Sequence, residues 1–270
     1  MTRLVVLRRH GAVDEPRRRV LFLHGMANSS SVWKPVVDAH EAELDCWTAE
    51  LPWRGGGGPA SWSHDEDTLA GIRSALSAVP GGVNVAVAHS FAAGLLLELL
   101  SRELAAGGDP FERYGLRGMI LVSPFYRRRP EEFSWAALPD QLEDFTRTME
   151  AGIAVQAGDR VSPELRREMA RRICDWVGPY GWHRFVQTYM RTPWLRTELI
   201  SLPTLVITGA GDPAALPAEG VALAEDLPGA RLLPLTGCGH FAMTEQPGLF
   251  ATAVRQFVGS FAEPVMEHSA

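Results

Sequence analysis

The 270-residue sequence is poor in cysteine and lysine and has no long hydrophobic run. Its three cysteines, Cys46, Cys174 and Cys238, are too few and too widely spaced for a disulfide framework or a metal-binding cluster. We therefore expect reduced thiols in a cytoplasmic protein. No apolar run approaches the roughly 20 residues that a transmembrane helix needs, and the first residues do not resemble a signal peptide. No association with a membrane is expected.

Basic residues are also fewer than acidic residues. The 32 acidic residues outnumber the 26 basic ones and give a formal net charge of −6. Proteins that bind nucleic acid present basic surfaces to the phosphates, so a nucleic-acid partner is not expected. Hydrophobic residues make up 46% of the chain, which is enough to bury the core of a globular protein.

Strand-like and helix-like segments alternate along the chain. Short apolar runs predict strands at residues 2–8, 19–25, 44–50, 83–89, 118–124, 204–209 and 230–235. Helical spacing of apolar residues predicts helices at residues 30–40, 66–79, 91–106, 218–227 and 247–262. The internal strands are apolar on both faces, as is typical of a parallel sheet that helices cover on each side. The alternation predicts an α/β fold with a mostly parallel, doubly wound sheet of about seven strands.

One interval interrupts this alternation. About eighty residues separate the strand that ends near Ser123 from the strand that begins near Thr204, and this is too long for a simple connection. Because the interval is rich in aromatic residues, we interpret it as an inserted helical cap. The predicted division is a core of residues 1–126 and 201–270 and a cap of residues 127–200. The alternative is a part of the core that has lost its strand signals.

Three polar residues follow predicted strands. Ser90 follows the fourth strand in "VAVAHSFAAG", Asp212 the sixth in "GAGDP", and His240 the seventh in "GCGHF". The carboxyl ends of parallel strands meet at one edge of the sheet, where α/β proteins bind ligands. A serine becomes a nucleophile when a histidine accepts its proton, and an acid can orient that histidine. Ser90, Asp212 and His240 are therefore candidates for one catalytic site.

Each of these residues also has a purely structural alternative. Ser90 could cap the helix predicted at residues 91–106. Asp212 could stabilise the turn "GDP" through its own backbone. His240 could be an incidental loop residue. The presence of all three residues at the same edge of the sheet favours the catalytic interpretation over these alternatives.

This arrangement resembles the α/β-hydrolase superfamily, in which a serine, an acid and a histidine follow in that order. The resemblance extends from "LFLHG" to "EQPGLF". It implies a catalytic triad in which Ser90 is the nucleophile on a sharp turn between a strand and a helix, His240 is the base and Asp212 orients it. It also implies that the backbone N–H groups of Met26 and Phe91 form the oxyanion hole. It implies no metal and no organic cofactor. The chain departs from the G-x-S-x-G motif at Ala88 and Ala92, which replace both glycines.

Aromatic residues are the candidates for substrate binding, because ligand pockets are mostly apolar. Trp53 lies in "ELPWRGGGG", a loop that is expected to flank the mouth of the site. The other candidates lie in the predicted cap: Trp135, Trp176, Trp182, Phe185, Tyr189 and Trp194.

Three functions are compatible with these residues. The first hypothesis is a serine hydrolase that cleaves an ester, thioester or lactone bond of a small, largely apolar substrate through an acyl-enzyme on Ser90. The second keeps the triad in a lyase, acyltransferase or cyclase, including reactions at C–C bonds. The third is a receptor-like ligand-binding protein with little turnover. The expected partner is a small-molecule substrate, which includes acyl groups held by coenzyme A or a carrier protein, and the expected oligomeric state is a monomer or homodimer.

Overall fold

The computed structural model describes residues 5–10, 18–40, 43–53, 61–64, 67–134 and 138–261. Within these ranges, seven strands form a single sheet: β1 (Val6–His10), β2 (Arg19–Leu23), β3 (Asp45–Glu50), β4 (Val85–His89), β5 (Gly118–Val122), β6 (Thr204–Gly209) and β7 (Arg231–Leu235). Their order across the sheet is β1-β3-β2-β4-β5-β6-β7. β1 is antiparallel to β3, and the other neighbouring strands are parallel. This topology confirms the predicted α/β fold.

Helices connect these strands. In the described ranges they are α1 (Lys34–Asp38), α2 (Ala70–Ala78), α3 (Phe91–Ala105), α4 (Pro110–Tyr114), α5 (Leu138–Ala157), α6 (Pro163–Met190), α7 (Pro217–Asp226), α8 (Ala242–Glu245) and α9 (Pro247–Gly259). None of them is both long and apolar enough to cross a bilayer. The helix α3 is buried along most of its length, which its apolar sequence "FAAGLLLELL" explains.

Several predicted elements have slightly different bounds in the structure, and two of these differences are informative. The first strand lies at Val6–His10 instead of residues 2–8, of which residues 2–4 lie outside the described ranges. The helix predicted at residues 30–40 begins as a 3₁₀ turn at Ser30–Trp33 and continues as the short α1. Pro35 explains this break, because proline has no N–H to donate and is tolerated only in the first turn of a helix.

The long interval between β5 and β6 carries the helices α5 and α6, which pack against each other. α6 is kinked at Gly178, which has a φ of 66°, and the next residue is Pro179. α6 also contacts α3, while α5 contacts α8. Both of these core helices begin beside the carboxyl ends of strands, so the inserted helices lie next to that edge of the sheet. The division into core and cap at residues 127 and 200 stays a prediction.

Candidate active site

Ser90 occupies a strained turn between β4 and α3. Its φ of 56° and ψ of −121° lie in a region that residues with a side chain rarely adopt. The turn is fixed by a hydrogen bond of 2.8 Å from the Ser90 N–H to the Val122 carbonyl oxygen. It also fits closely against Gly25, where a Cβ atom would lie 3.0 Å from the Cβ of Ser90. Ala88 and Ala92 are fully buried and small enough for the turn.

His240 lies between Ser90 and Asp212. Its Nε2 is 3.0 Å from the Ser90 hydroxyl oxygen, and its Nδ1 is 2.7 Å from Asp212 Oδ2. Because a carboxylate only accepts hydrogen bonds, Nδ1 carries the proton and Nε2 presents a lone pair to Ser90. All three residues are buried. The structure therefore brings the three predicted residues into one hydrogen-bonded row.

The carboxylate of Asp212 is held by backbone groups. Its Oδ1 accepts hydrogen bonds from the N–H groups of Ala214 and Ala215, at 2.9 and 3.0 Å. Because these bonds occupy Oδ1, the other oxygen, Oδ2, is aimed at His240. The turn interaction that was the structural alternative for Asp212 therefore coexists with its contact to the histidine.

The backbone carbonyl of His240 is fixed from the sheet. It accepts hydrogen bonds from His89 Nε2 at 3.0 Å and from Ser123 Oγ at 3.2 Å. Burial, followed by the charge of the adjacent His240, lowers the pKa of His89 well below its usual range. His89 is therefore neutral and donates through Nε2, so it supports the position of His240.

The N–H groups on each side of His240 are fixed by one carboxylate. Glu245 Oε2 accepts a hydrogen bond of 2.6 Å from the Gly239 N–H, and its Oε1 accepts one of 2.8 Å from the Phe241 N–H. Glu245 ends the short helix α8, directly after this loop. The loop of residues 236–241, which we call the histidine loop, is thus held by side chains from β4, from the segment after β5 and from α8.

The predicted oxyanion-hole donors follow two neighbouring strands, β2 and β4. Met26 follows β2 and Phe91 is the first residue of α3. In the described part of the chain, neither backbone N–H donates a hydrogen bond. Backbone donors without an internal partner at this edge of the sheet are suited to an anionic oxygen.

A small cavity adjoins Ser90. Its volume is about 10 Å³, and it is partly open; it has room for roughly one water molecule. α3, α6 and the segments that follow β5 and α6 supply its walls, with the residues Ser90, Phe91, Gly94, Phe125, Phe185, Thr188, Tyr189 and Thr192. His240 is not part of these walls. The cavity is mostly apolar.

A model of the alpha/beta hydrolase family matches residues 20–253. The chain belongs to this family. Among curated proteins, none matches the sequence.

Solved structures with a similar fold include three α/β enzymes of low sequence identity. An esterase from Rhodococcus sp. ECU1013 is 22% identical, with a TM-score of 0.63 over 96% of this chain and 95% of that chain. An enol-lactonase from Burkholderia xenovorans LB400 is 20% identical, with a TM-score of 0.59 over 94% and 96% of the two chains. A hydrolase from Oleispira antarctica is 18% identical, with a TM-score of 0.63 over 94% of each chain. At these identities the likeness shows the fold alone.

Two of the predicted substrate-binding residues of this α/β hydrolase line the cavity, namely Phe185 and Tyr189. Trp53 instead is buried, with its ring edge-on to Phe91 at 5.4 Å between centroids. Its Nε1 donates a hydrogen bond to the His24 carbonyl oxygen. Trp53 therefore supports the loops of the site and does not line the cavity.

The predicted tryptophans of the cap lie elsewhere. Trp182 is half-buried and packs edge-on against Phe145 at 4.5 Å between centroids, so it joins α5 to α6. Trp176 and Trp194 are 57% and 66% exposed, and neither lines the cavity. The expectation was that some of the cap aromatics would line the cavity while others held the cap helices together; Phe185 and Tyr189 line this cavity, and these three tryptophans do not. Trp135 lies outside the described residues.

Tyr189 is anchored by a buried polar cluster. Its hydroxyl donates a hydrogen bond of 2.7 Å to Glu219 Oε1 and accepts one of 2.8 Å from Arg127 Nε. Arg127 also lies 3.1 Å from Glu219, and the second oxygen of Glu219 accepts the Tyr126 N–H at 2.8 Å. We call Arg127, Tyr189 and Glu219 the anchor cluster. Burial raises the pKa of Glu219 to about 7, although its hydrogen bonds and Arg127 oppose this shift.

The raised pKa of Glu219 predicts a pH-dependent stability. The unfolded chain loses this proton near pH 4.5 and the folded chain near pH 7, so the contribution is present below pH 4.5 and is lost as the pH rises to 7. A change of about 2.5 pKa units corresponds to about 3 kcal/mol. We expect the free energy of unfolding of the wild type, relative to Glu219→Gln, to fall by this amount between pH 4.5 and 7.5. Urea denaturation at several pH values measures it, and a constant difference would contradict the assignment.

Several residues of the site carry no signal in the sequence. Glu245 contacts two backbone N–H groups of the histidine loop, and no residue spacing predicts such contacts. Thr188 and Thr192 line the cavity from the end of the insertion, where ordinary polar residues are common. In the described residues, no group of three or more His, Cys, Asp or Glu side chains could hold a metal ion.

Proposed function

We propose that this protein is a serine hydrolase that cleaves an ester, thioester or lactone bond of a small, largely apolar substrate. The observation that carries the proposal is the row from Asp212 through His240 to Ser90, with hydrogen bonds of 2.7 and 3.0 Å, at a strained strand-to-helix turn. A serine that only capped a helix would not need a histidine and a buried acid in line with its hydroxyl. Family membership and the esterase and enol-lactonase of similar fold support the choice of acyl bonds.

The first half of the reaction forms an acyl-enzyme. The Ser90 oxygen attacks the carbonyl carbon of the substrate while His240 Nε2 takes the hydroxyl proton. Asp212 stabilises the resulting imidazolium and keeps its orientation. The N–H groups of Met26 and Phe91 donate hydrogen bonds to the oxygen that becomes negative, and each such donor contributes about 3 kcal/mol to transition-state stabilisation. His240 then gives its proton to the leaving group, and the bond to that group breaks.

The second half releases the acid. A water molecule gives a proton to His240 Nε2 and attacks the carbonyl carbon of the acyl-enzyme. When the tetrahedral intermediate collapses, His240 returns the proton to the Ser90 oxygen. The products are the carboxylic acid and the free enzyme, and no cofactor takes part in this scheme.

Covalent labelling tests the nucleophile. We expect a fluorophosphonate probe to add to the wild-type protein at Ser90, as found by mass spectrometry of the labelled peptide, because His240 removes the proton from the attacking hydroxyl. Ser90→Ala should abolish the labelling, whereas Ser260→Ala, at an exposed helix end, should leave it unchanged. Turnover of p-nitrophenyl esters and acyl thioesters is measured on the same preparations. A folded protein that is not labelled at Ser90 would refute the proposal, and labelling without turnover would favour a binding protein.

A further inference from the structure

The position of the small cavity relative to His240 indicates which part of a substrate it takes. This inference rests on the proposed function. In an acyl-transfer reaction the histidine that receives the serine proton also protonates the leaving group, so the leaving group lies on the His240 side of Ser90. The cavity is walled by Ser90 and Phe91 and not by His240. It therefore lies where the acyl chain of the substrate must lie.

The floor of the cavity is closed by close helix packing. Gly94 lies one turn after Ser90 on α3, and a Cβ atom at this position would be 3.4 Å from Cγ2 of Thr188 on α6. The gap between the two helices at this point therefore has room for about one methyl group. An acyl chain cannot extend between them unless α6 moves away from α3.

The side wall is closed by Tyr189, which the anchor cluster holds in place. Rotation of its ring away from the cavity would break its buried hydrogen bonds to Glu219 and Arg127. Leaving such buried partners unsatisfied is unfavourable, because they lose their hydrogen bonds without gaining water. The ring is also packed edge-on against Phe125, at 5.4 Å between centroids, and against Phe133, at 5.0 Å. The wall is therefore more rigid than a tyrosine that contacts only apolar neighbours.

We propose that this cavity is the acyl pocket, that it restricts the enzyme to acyclic esters and thioesters of two-carbon acyl groups, and that Tyr189 is the specificity-determining residue. The carbonyl of an acetyl group would lie at Ser90, with its methyl group in the space for about one water molecule. Ser90 forms the bond to the acetyl carbon as the bond to the alcohol or thiol breaks, and His240 supplies the proton to that leaving group. Water then releases acetic acid. The leaving group is not limited by this cavity.

The chain-length profile of p-nitrophenyl acetate, butyrate, hexanoate and octanoate tests the pocket. We expect kcat/KM of the wild type to fall at least about tenfold from acetate to hexanoate, since a single misfitting methylene in a pocket is worth about 10-fold or more. Tyr189→Phe keeps the ring and removes both anchoring hydrogen bonds. Its ratio of hexanoate to acetate kcat/KM should rise at least about tenfold. The matched control is Tyr180→Phe, at an exposed cap position, which should keep the wild-type ratio.

Two further measurements keep the outcomes distinct. Thr188→Ala opens the same cavity from its floor and should raise the same ratio, so the proposal does not depend on the folding of one variant. Fluorophosphonate labelling is run on every preparation. If labelled protein has the same kcat/KM for hexanoate as for acetate, the acyl pocket is overturned and the serine hydrolase assignment still holds. Folded protein that is neither labelled nor active would overturn the proposed function, and the pocket with it.

Discussion

Replacement of His240 by alanine is expected to lower kcat for ester hydrolysis by a factor of about 10⁴ or more. Without the imidazole, the Ser90 proton has no acceptor and the leaving group has no donor. Asp212→Asn should have an effect of similar size, because an asparagine NH₂ group facing Nδ1 stabilises the tautomer that carries its proton on Nε2. That proton would point at the Ser90 hydroxyl oxygen, which lies 3.0 Å from Nε2, and Nε2 could no longer accept the serine proton.

The double variant His240→Ala/Asp212→Asn tests whether the two residues act together. If His240 and Asp212 act as a unit, removal of both should cost little more than removal of His240 alone. His183→Ala is the control, because His183 lies on α6 with an exposed side chain. Steady-state kinetics gives kcat for each variant, and thermal unfolding shows whether the variant is folded. Together they distinguish a catalytic defect from a folding defect. If folded His240→Ala kept more than a tenth of the wild-type kcat, the histidine would not be the base.

The sheet could be predicted from the sequence because its strands are buried on both faces. The apolar run "VAVAH" of β4 leaves no other place for these residues than the core. β1 was harder to predict, since an edge strand that pairs antiparallel with β3 has little apolar pattern and contains Arg8 and Arg9. Its bounds follow from its pairing to β3, and the local sequence does not contain that information.

The row of Ser90, His240 and Asp212 was predictable because each follows a strand at the same edge of the sheet. The walls of the cavity were not. Whether an aromatic residue of α6 faces the cavity depends on how the helix lies against α3, and the kink at Gly178 changes the direction of that helix midway. From the sequence, Trp176 and Tyr189 are equally good candidates for the cavity wall. In the structure Trp176 is 57% exposed, whereas Tyr189 lines the cavity.

The contacts that hold the histidine loop could not be predicted from the sequence either. A carboxylate that accepts two backbone N–H groups, as Glu245 does, can lie anywhere near a loop. The same holds for Gly209 at the end of β6. As one of many glycines it predicts nothing, but the structure shows that two backbone carbonyl oxygens of the histidine loop pass directly over it.

Gly209→Ala should therefore disrupt both stability and catalysis. A Cβ atom at this position would lie 2.0 Å from the Gly239 carbonyl oxygen and 2.6 Å from that of Cys238. These are backbone atoms, so no side chain can rotate away, and the histidine loop or the end of β6 must shift. We expect a loss of at least about 3 kcal/mol in the free energy of unfolding, at the upper end for overpacking. A displacement of about 1 Å at His240 would also lower kcat by about 100-fold.

Gly248→Ala is the matched control for this prediction. Gly248 lies in the first turn of α9 with open space around its Cβ position, so alanine should leave activity unchanged and stabilise the helix by up to about 1 kcal/mol. Chemical denaturation and ester hydrolysis are measured for both variants. If Gly209→Ala unfolds at the wild-type denaturant concentration and keeps wild-type kcat, the histidine loop does not pass over Gly209 in the folded enzyme. If instead the variant folds with low kcat and recovers no activity at high substrate concentration, the defect lies in the placement of His240, because weaker substrate binding would be overcome by saturation.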